Sequence, residues 1–216
     1  MIFFEKKWLR RLLPVATLTL AALTGLSACA PLMVGGAAMG VLVATDRRTS
    51  GAQLEDEGIE LRAASRIREN LGDRVHVNIA SYNRQVLLTG EVPSAQDRQQ
   101  VEQIVSRVEN VRATVNELGI LGNTTLTQRS SDALVTGKVK AAMVDAKDLF
   151  ANAFKVVTER STTYLMGRVT QREADRATEL TRGTSGVQKV IRIFEIISEE
   201  ELKRMLPQPA PEDTKK

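Results

Sequence analysis

The side chains with the most distinctive chemistry in this 216-residue chain are one cysteine, Cys29, and one histidine, His76. A single cysteine cannot form an internal disulfide. One cysteine and one histidine together are also too few for a zinc site made of Cys and His ligands. His76 lies between Val75 and Val77 in an alternating segment, so we expect a surface histidine on the opposite strand face. The commonest catalytic and metal-ligating sets are therefore missing, and we expect neither an enzyme nor a metal site.

Two acidic clusters are the remaining candidates for acid–base chemistry. They are the pair Asp56 and Glu57, and the run at residues 199–201. Clusters of this kind are typical of solvated helix ends, where carboxylates favour the helix dipole. We expect that role for both.

The first 28 residues have the pattern of a targeting segment. A basic start (Lys6, Lys7, Arg10 and Arg11) precedes an uncharged, mostly apolar run at residues 12–26, which is too short to span a membrane. Leu26, Ser27 and Ala28 then lead into Cys29, a series that resembles the bacterial lipobox, in which the cysteine is acylated and the preceding peptide is removed. We therefore expect a lipoprotein signal peptide over residues 1–28 and lipid on Cys29; an ordinary signal peptide with a coincidental cysteine is the alternative.

The charge balance argues against nucleic acid as a partner. The whole chain has a formal net charge of +4, but residues 1–28 contribute four basic residues and Glu5, which leaves +1 after their removal. Ala30, not an aspartate, follows the cysteine, and by resemblance to bacterial lipoproteins this indicates the outer membrane, facing the periplasm. The acyl groups on Cys29 would supply the membrane affinity, and no other cofactor is expected.

Residues 29–54 are interpreted as a lipidated tether. Residues 30–44 are uncharged and contain Gly36 and Gly40 at the spacing of a close-packing motif. A flexible tether is one interpretation; a segment that lies at the membrane interface or docks on its own domain is the other. Residues 45–51 indicate a polar linker.

The rest of the chain is an internal repeat. Residues 88–92 (LTGEV) match residues 165–169 (LMGRV), and residues 111–115 (VRATV) match residues 187–191 (VQKVI). Periodicity predicts helix–strand–strand–helix–strand in each copy, with a hairpin turn at residues 82–84 in the first. We define unit 1 as residues 55–120 and unit 2 as residues 130–197, joined by a linker at 121–129 and followed by a tail at 198–216.

This order of elements predicts an α+β fold. Each αββαβ unit should form a small three-stranded mixed sheet with two helices on one face. Unit 1 has 8 basic and 11 acidic residues, whereas unit 2 has 11 basic and 8 acidic residues. The opposite net charges favour docking of the two units, although each could simply be a solvated surface. Gly90 and Gly167 occupy equivalent positions, which indicates a structural role at a bulge or a close helix approach.

The repeated Leu-x-Gly-x-Val motif, followed about 20 residues later by Gly-Val-x-x-Val from Gly186 to Val190, resembles the BON domain. Two such units behind a lipobox resemble the dual-BON outer-membrane lipoproteins over nearly the whole mature chain. Unit 1 departs from the pattern at residues 110–111, where Asn-Val replaces Gly-Val. The resemblance implies a non-enzymatic phospholipid-binding protein that supports outer-membrane integrity and concentrates at division sites.

The resemblance also implies which helix meets the membrane, since in this family the first helix of the second unit contacts anionic phospholipid. The corresponding residues are Leu134, Val135, Lys138, Lys140 and Ala141. An outward leucine beside two lysines suits an interface, because the apolar tip enters the headgroup boundary while the ammonium groups meet phosphates. Alternatively, Leu134 is ordinary packing and the lysines only aid solubility.

An anionic membrane is therefore the expected partner, with no nucleic acid and no small-molecule substrate. A different class of function stays open. In that alternative the chain is an adaptor that binds another envelope protein, lipid contact is incidental, and the acidic surface of unit 1 matters more than the region around Leu134.

Overall fold

A computed structural model describes residues 46–122 and 124–205 of the chain. The predicted signal peptide, Cys29, residues 30–45 of the tether and residues 206–216 of the tail lie outside the described residues. The elements of unit 1 are α1 (Ser50–Leu71), β1 (His76–Tyr82), β2 (Gln85–Val92), α2 (Ala95–Ser106), β3 (Ala113–Asn116) and β4 (Gly119–Ile120). Those of unit 2 are α3 (Leu126–Asp145), β5 (Phe154–Glu159), β6 (Thr162–Val169), α4 (Gln171–Arg182) and β7 (Lys189–Ile196), followed by α5 (Glu199–Met205).

Each unit is an αββαβ fold, as predicted. An antiparallel hairpin (β1–β2 and β5–β6) is followed by a helix that crosses over to a strand parallel to the second hairpin strand (β2–β3 and β6–β7). The third strand of unit 1 differs from prediction, because it is split into β3 and β4, which both pair with β2. The break lies alongside Gly90, where the φ of +111° distorts β2, whereas β7 beside Gly167 is continuous.

Two-residue turns close both hairpins. Asn83 and Arg84 in unit 1, and Arg160 and Ser161 in unit 2, all have positive φ angles between 49° and 66°. Two consecutive left-handed residues form the turn whose twist matches that of the paired strands. The turn in unit 1 lies where the sequence predicts it.

Each sheet is covered on one face by its own two helices. In unit 1 the core forms between α1, α2 and the sheet, with Ile59, Val86 and Val101 fully buried. In unit 2 the corresponding core includes Val139, Leu165 and Ala177. Both helix–sheet cores match the predicted architecture.

The other face of each sheet is covered by the sheet of the neighbouring unit. A third core joins them, made of Ala80, Tyr82, Leu87, Tyr164, Met166 and Ile193. The Tyr82 hydroxyl donates across this boundary to the Ala153 carbonyl at 3.2 Å. The two units are therefore docked sheet to sheet, and we call this apolar contact the inter-sheet core.

Charge complementarity between the units is local and runs in both directions. Glu91 and Glu60 of unit 1 pair with Arg160 and Lys155 of unit 2, while Arg112 of unit 1 pairs with Glu195 of unit 2. The opposite net charges of the units do not by themselves explain the contact. The apolar side chains bury the area, and the ion pairs surround it.

Two helices begin earlier than their sequence patterns indicate. Helix α1 starts at Ser50, inside the segment assigned to the tether, and α3 starts at Leu126, inside the predicted linker. Thr49 and Thr125 cap them, since their side-chain oxygens accept the backbone N–H of Ala52 (3.1 Å) and Gln128 (3.2 Å). Residues 199–205 of the predicted tail are helical as well. Over residues 46–122 and 124–205, no helix is both long and apolar enough to span a membrane.

Removal of a side chain from the inter-sheet core is expected to destabilise both units together. Met166 is fully buried there, and Met166→Ala should lower the free energy of unfolding by about 2–5 kcal/mol. Urea unfolding of residues 46–216, followed by circular dichroism, should show one transition at a lower midpoint. Two separate transitions in the wild-type domain would contradict the shared core.

Candidate functional site

Helix α3, the first helix of unit 2, turns one face to the core and the opposite face to solvent. The inward residues Val135, Val139 and Met143 pack against the sheet and α4. Among the residues predicted to meet lipid, Leu134 is 68% exposed, and Lys138, Lys140 and Ala141 are exposed as well. The outward position of these four residues is compatible with the predicted contact.

Val135 must be removed from the predicted lipid-contacting set. It is only 5% exposed and belongs to the core of unit 2. Consecutive helical residues are about 100° apart around the axis, so Val135 points inward when Leu134 points out. It cannot meet a membrane while α3 stays packed on its sheet.

Two further apolar side chains extend the exposed face, namely Leu126 (80% exposed) and Val144 (69% exposed). By helical geometry, Leu126, Leu134 and Val144 lie within about 80° of one another around α3. Lys138 and Lys140 lie at the two edges of this stripe. We call the set Leu126, Leu134, Val144, Lys138 and Lys140 the α3 stripe. The sequence analysis missed Leu126 because it assigned residues 121–129 to the linker. Thr125, a good N-cap residue, was the available signal.

Helix α1, the equivalent helix of unit 1, has a different surface. It exposes Leu54 and Leu61 beside Glu57, which forms no ion pair with another described residue, whereas the nearby Glu55 and Glu60 are paired with Arg62 and Lys155. Carboxylates are repelled by anionic headgroups, whereas lysines are attracted. The exposed leucines of the two equivalent helices therefore have different charged neighbours, an unpaired carboxylate on α1 and two lysines on α3.

A buried aspartate near the start of each first helix holds the hairpin turn. Asp132 accepts the backbone N–H groups of Arg160 (2.8 Å) and Ser161 (3.0 Å). Asp56 likewise accepts those of Asn83 (2.7 Å) and Arg84 (2.8 Å). The prediction of a solvated Asp56 is wrong, since it is 1% exposed, while Glu57 is exposed as expected.

These hydrogen bonds also set the protonation state of Asp56. Burial alone raises the pKa of its carboxyl, but hydrogen bonds from Ser81, Arg48 and the turn backbone outweigh burial, and the net pKa is lowered. The carboxylate is thus kept ionised at the point where helix and hairpin meet.

Three glycines allow close backbone approaches. A Cβ at Gly90 would lie 2.2 Å from the His76 carbonyl oxygen, and one at Gly167 would lie 2.6 Å from the Ala153 carbonyl oxygen. These neighbours are backbone before or at the start of the adjacent strand, not the helix that the sequence analysis considered. Gly186 has a φ of +99°, and a Cβ there would lie 2.6 Å from a methyl group of Val135. Gly186 therefore lets α3 pack closely on its unit.

The segment before α1, predicted as a polar linker, is instead bound to both units. We call Asp46, Arg47 and Arg48 the N-terminal clasp. Arg47 donates to both carboxylate oxygens of Glu173 in unit 2, at 2.6 and 2.7 Å, and to the Arg168 carbonyl at 3.0 Å. Both charged side chains are buried, with exposures of 4% and 0%. Burial raises the pKa of the Glu173 carboxyl, but the hydrogen bonds from Arg47 and Thr170 outweigh burial, so the net pKa is lowered.

Arg48 binds unit 1 through an ion pair with Asp56. Its guanidinium donates to Asp56 at 2.8 Å and to Asp46, and it lies 4.3 Å from the centre of the Tyr82 ring. Cations over aromatic faces are attracted by the ring quadrupole. Two consecutive arginines therefore join the chain to both units immediately before α1.

The clasp also lies beside α3. A cavity of about 440 Å³ is lined by Asp46, Gln53, Lys140, Val144, Ala151, Asn152 and Phe154. Asp46, the first described residue, thus shares a cavity with two members of the α3 stripe. The chain enters the domain next to the C-terminal half of α3.

A buried polar cluster joins the units near the start of β1. Glu91, with a fully buried side chain, accepts from His76 (2.9 Å), Arg160 (3.0 Å) and Thr124. The prediction of a surface histidine is only partly right, because the His76 side chain is 22% exposed and its Nδ1 is bonded to Glu91. Burial raises the pKa of Glu91, yet these donors outweigh it and lower the net value.

Glu159 has the opposite balance. Burial raises its pKa, the hydrogen bond from Asn78 only partly offsets this, and the nearby charges of Glu91 and Asp132 raise it again. The cluster therefore contains one carboxyl with a lowered pKa, Glu91, close to one with a raised pKa, Glu159. Within the described ranges, no three or more His, Cys, Asp or Glu side chains lie close enough together to hold a metal ion.

Comparison with known proteins agrees with this architecture. The family profile described as BON domain matches residues 56–122 and 131–197. The chain is 33% identical over 180 residues to "Outer membrane lipoprotein DolP" of Haemophilus influenzae, covering 82% of this chain and 93% of that protein. It is 29% identical over 154 residues to "21 kDa hemolysin" of Actinobacillus pleuropneumoniae, covering 70% of this chain and 79% of that one.

Loss of the Arg47–Glu173 pair is expected to open the clasp. Arg47 and Arg48 are the only Lys or Arg residues between Cys29 and Arg62, so trypsin can cut this segment only there. Glu173→Gln keeps a residue suited to the helix cap but leaves the guanidinium without its carboxylate, which costs about 3–5 kcal/mol for a buried pair. Cleavage after Arg47 or Arg48 should accelerate at least about tenfold. Mass spectrometry of residues 30–216 during digestion measures the rate.

Glu179→Gln is the matched control for that experiment, because Glu179 is an exposed glutamate on the same helix, paired with Arg176. It should leave the cleavage rate unchanged. Rapid cleavage of the wild-type chain after Arg47 would show that the clasp does not hold.

Two carboxyls of the polar cluster should respond to pH with opposite signs. A raised folded-state pKa gives Glu159 a contribution to stability that is complete below the unfolded pKa and is lost as pH rises through the folded pKa. Glu159→Gln should therefore stabilise the domain at pH 7 and lose this advantage near pH 4.

Glu91→Gln should behave in the opposite way. Its folded pKa is lowered, so its contribution is present above the unfolded pKa and is lost as pH falls through the folded pKa. The variant should be less stable than wild type at pH 7, with a deficit that narrows on acidification. Urea unfolding at several pH values measures both, and equal signs at pH 7 would disprove the assignment.

Proposed function

The chain belongs to the BON-domain family, of which it carries two copies, and on that premise we propose that it is an outer-membrane lipoprotein whose second copy binds anionic phospholipid. The proposed anchor is lipid on Cys29, with both units facing the periplasm. The relative named as an outer membrane lipoprotein, which matches over 93% of its length, supports this location. The lipobox-like residues 26–29 support it independently.

The observation that carries the proposal is the α3 stripe. Leu126, Leu134 and Val144 are exposed on one side of a single helix, and Lys138 and Lys140 flank them. Apolar tips of this kind enter the boundary between headgroups and acyl chains, while flanking lysines meet lipid phosphates. Each lysine near an anionic surface contributes about 1 kcal/mol, and salt screens this contribution.

The supports of α3 fit the same role. Asp132 fixes the helix to its hairpin, Gly186 lets it pack closely, and Val135 fills the space below. The α3 stripe is thus presented on a rigid element. Asp46, the first described residue, lies beside Lys140 and Val144, so the described part of the chain begins next to the surface that would meet the membrane. Binding of this kind would support outer-membrane integrity without any catalytic step.

A second candidate function is an adaptor for another envelope protein. One observation favours it, an open groove on unit 1 between α1 and β1, next to Leu61 and Glu57. If this is the main role, substitutions at Leu61 should impair the cell envelope more than substitutions at Leu134.

Vesicle co-sedimentation of residues 46–216 tests the lipid proposal. We expect binding to anionic vesicles, weakened by raised salt, and little binding to neutral vesicles. Leu134→Glu removes an apolar contact and adds a repelled charge, so binding to anionic vesicles should fall by about tenfold or more. The same measurement on the double variant Lys138→Ala and Lys140→Ala should show a reduced dependence on salt.

Leu61→Glu is the matched control, because Leu61 is also an exposed leucine on a first helix, at 74% exposure. It should bind vesicles as wild type does. A folded domain that fails to bind anionic vesicles, or binding that Leu134→Glu leaves unchanged, would count against the α3 stripe as a membrane surface.

A further inference from the structure

The outer edge of β1 carries backbone groups that no partner satisfies within the described residues. Among the described strands, β1 lies at the edge of its sheet and pairs only with β2. At its C-terminal end, the edge is closed, because the Ser81 N–H donates to Glu60 at 2.7 Å and the Ser81 carbonyl accepts from Lys155 at 3.1 Å. The Ser81 backbone therefore points away from β2.

Alternation along a strand extends this argument to Val77 and Ile79. In an antiparallel pair, every second residue directs its N–H and C=O away from the partner strand. Ser81, Ile79 and Val77 share this register. Val77 and Ile79 thus present two donors and two acceptors along an open edge, which is a template for an added strand.

A groove runs beside this edge. Its volume is about 460 Å³, and it is lined by Glu57, Glu60, Leu61, Ala64, Val77, Asn78 and Ile79. Leu61, Ala64 and the two strand residues give it an apolar floor. A strand that pairs with the edge would direct alternate side chains toward this groove.

The charge at the groove selects among possible strands. Glu57 is exposed and forms no ion pair with another described residue, whereas Glu60 is already paired with Lys155. Unit 1 has more acidic than basic residues. An uncompensated carboxylate at the rim of an apolar groove favours a cationic side chain next to an apolar one.

From these observations, we propose that the groove between α1 and β1 binds an extended peptide segment of another protein, with apolar and basic residues in alternation, by strand addition to Val77 and Ile79. Main-chain hydrogen bonds would supply affinity and the groove would supply selectivity, as in other strand-addition sites. The proposal names the partner chemistry of the adaptor role and is independent of lipid binding by α3.

Binding of model peptides to the full-length lipidated protein in neutral vesicles tests the proposal. The probe is a fluorescent octapeptide of alternating valine and lysine, and the matched control is the valine–glutamate octapeptide. Fluorescence anisotropy should show saturable binding of the lysine peptide and at least about tenfold weaker binding of the glutamate peptide. Absence of saturable binding, or equal binding of both peptides, would overturn the proposal.

Two variants locate the site. Ile79→Pro removes one outward N–H without removing a bond to β2, because proline is tolerated at an exposed strand edge. Leu61→Lys replaces an exposed apolar side chain of the groove floor with a cation that repels the lysine peptide. Each should weaken binding of the lysine peptide by about tenfold, with an unchanged circular dichroism spectrum, and Leu134→Glu should leave it unaltered. If Leu134→Glu abolishes peptide binding while both unit 1 variants bind normally, the peptide has bound at α3 and the groove proposal is wrong.

If Ile79→Pro fails to fold, a series of lysine peptides tests the same hydrogen bonds. Each peptide of the series carries one N-methylated backbone amide, at a different position. The methyl group removes one main-chain donor from the probe. If methylation weakens binding at every second position, strand addition is supported. Equal affinity for all the methylated peptides contradicts it.

Discussion

The inter-sheet core is the contact on which the rest of the structure depends. A three-stranded sheet with two helices on one face leaves its second face exposed, and a unit of this size buries too little surface to be robustly stable alone. Docking sheet against sheet removes Tyr82, Leu87, Tyr164, Met166 and Ile193 from water at once. Since the second face of each sheet is supplied by the neighbouring unit, the two copies of the repeat form one folded body.

The polar groups around this core are arranged to avoid unpaired charge. Burial of a carboxylate is costly unless donors surround it, and Asp56, Glu91 and Glu173 each have at least two. The same contacts also connect parts of the fold. Asp56 binds α1 to the hairpin of unit 1, Glu91 binds unit 1 to unit 2, and Glu173 binds unit 2 to the N-terminal clasp. Glu159 is the exception, because among the described residues only Asn78 donates to its carboxyl, and burial raises its pKa.

Duplication has left the two first helices free to diverge on their outer faces. Their inner faces are constrained by the same packing, which explains the shared aspartates at positions 56 and 132. Outside, α1 carries Glu57 beside Leu61 and borders a groove with an open strand edge, whereas α3 carries apolar residues flanked by lysines. One body can therefore carry both the proposed membrane-binding face and the proposed peptide-binding groove.

Local pattern was sufficient for much of this architecture. The period of apolar residues and the repeated glycine motif predicted two αββαβ units, the covered sheet face and an outward Leu134, because helix and strand periodicities are properties of neighbouring residues. Composition alone also argued against Cys and His chemistry. The tertiary structure decided what depends on residues distant in sequence. Arg47 pairs with Glu173 across 126 positions, and Asp56 and the half-buried His76 bind partners outside their own segments. No local pattern records these contacts, because a charged side chain has the same sequence context whether it ends in solvent or in a buried pair.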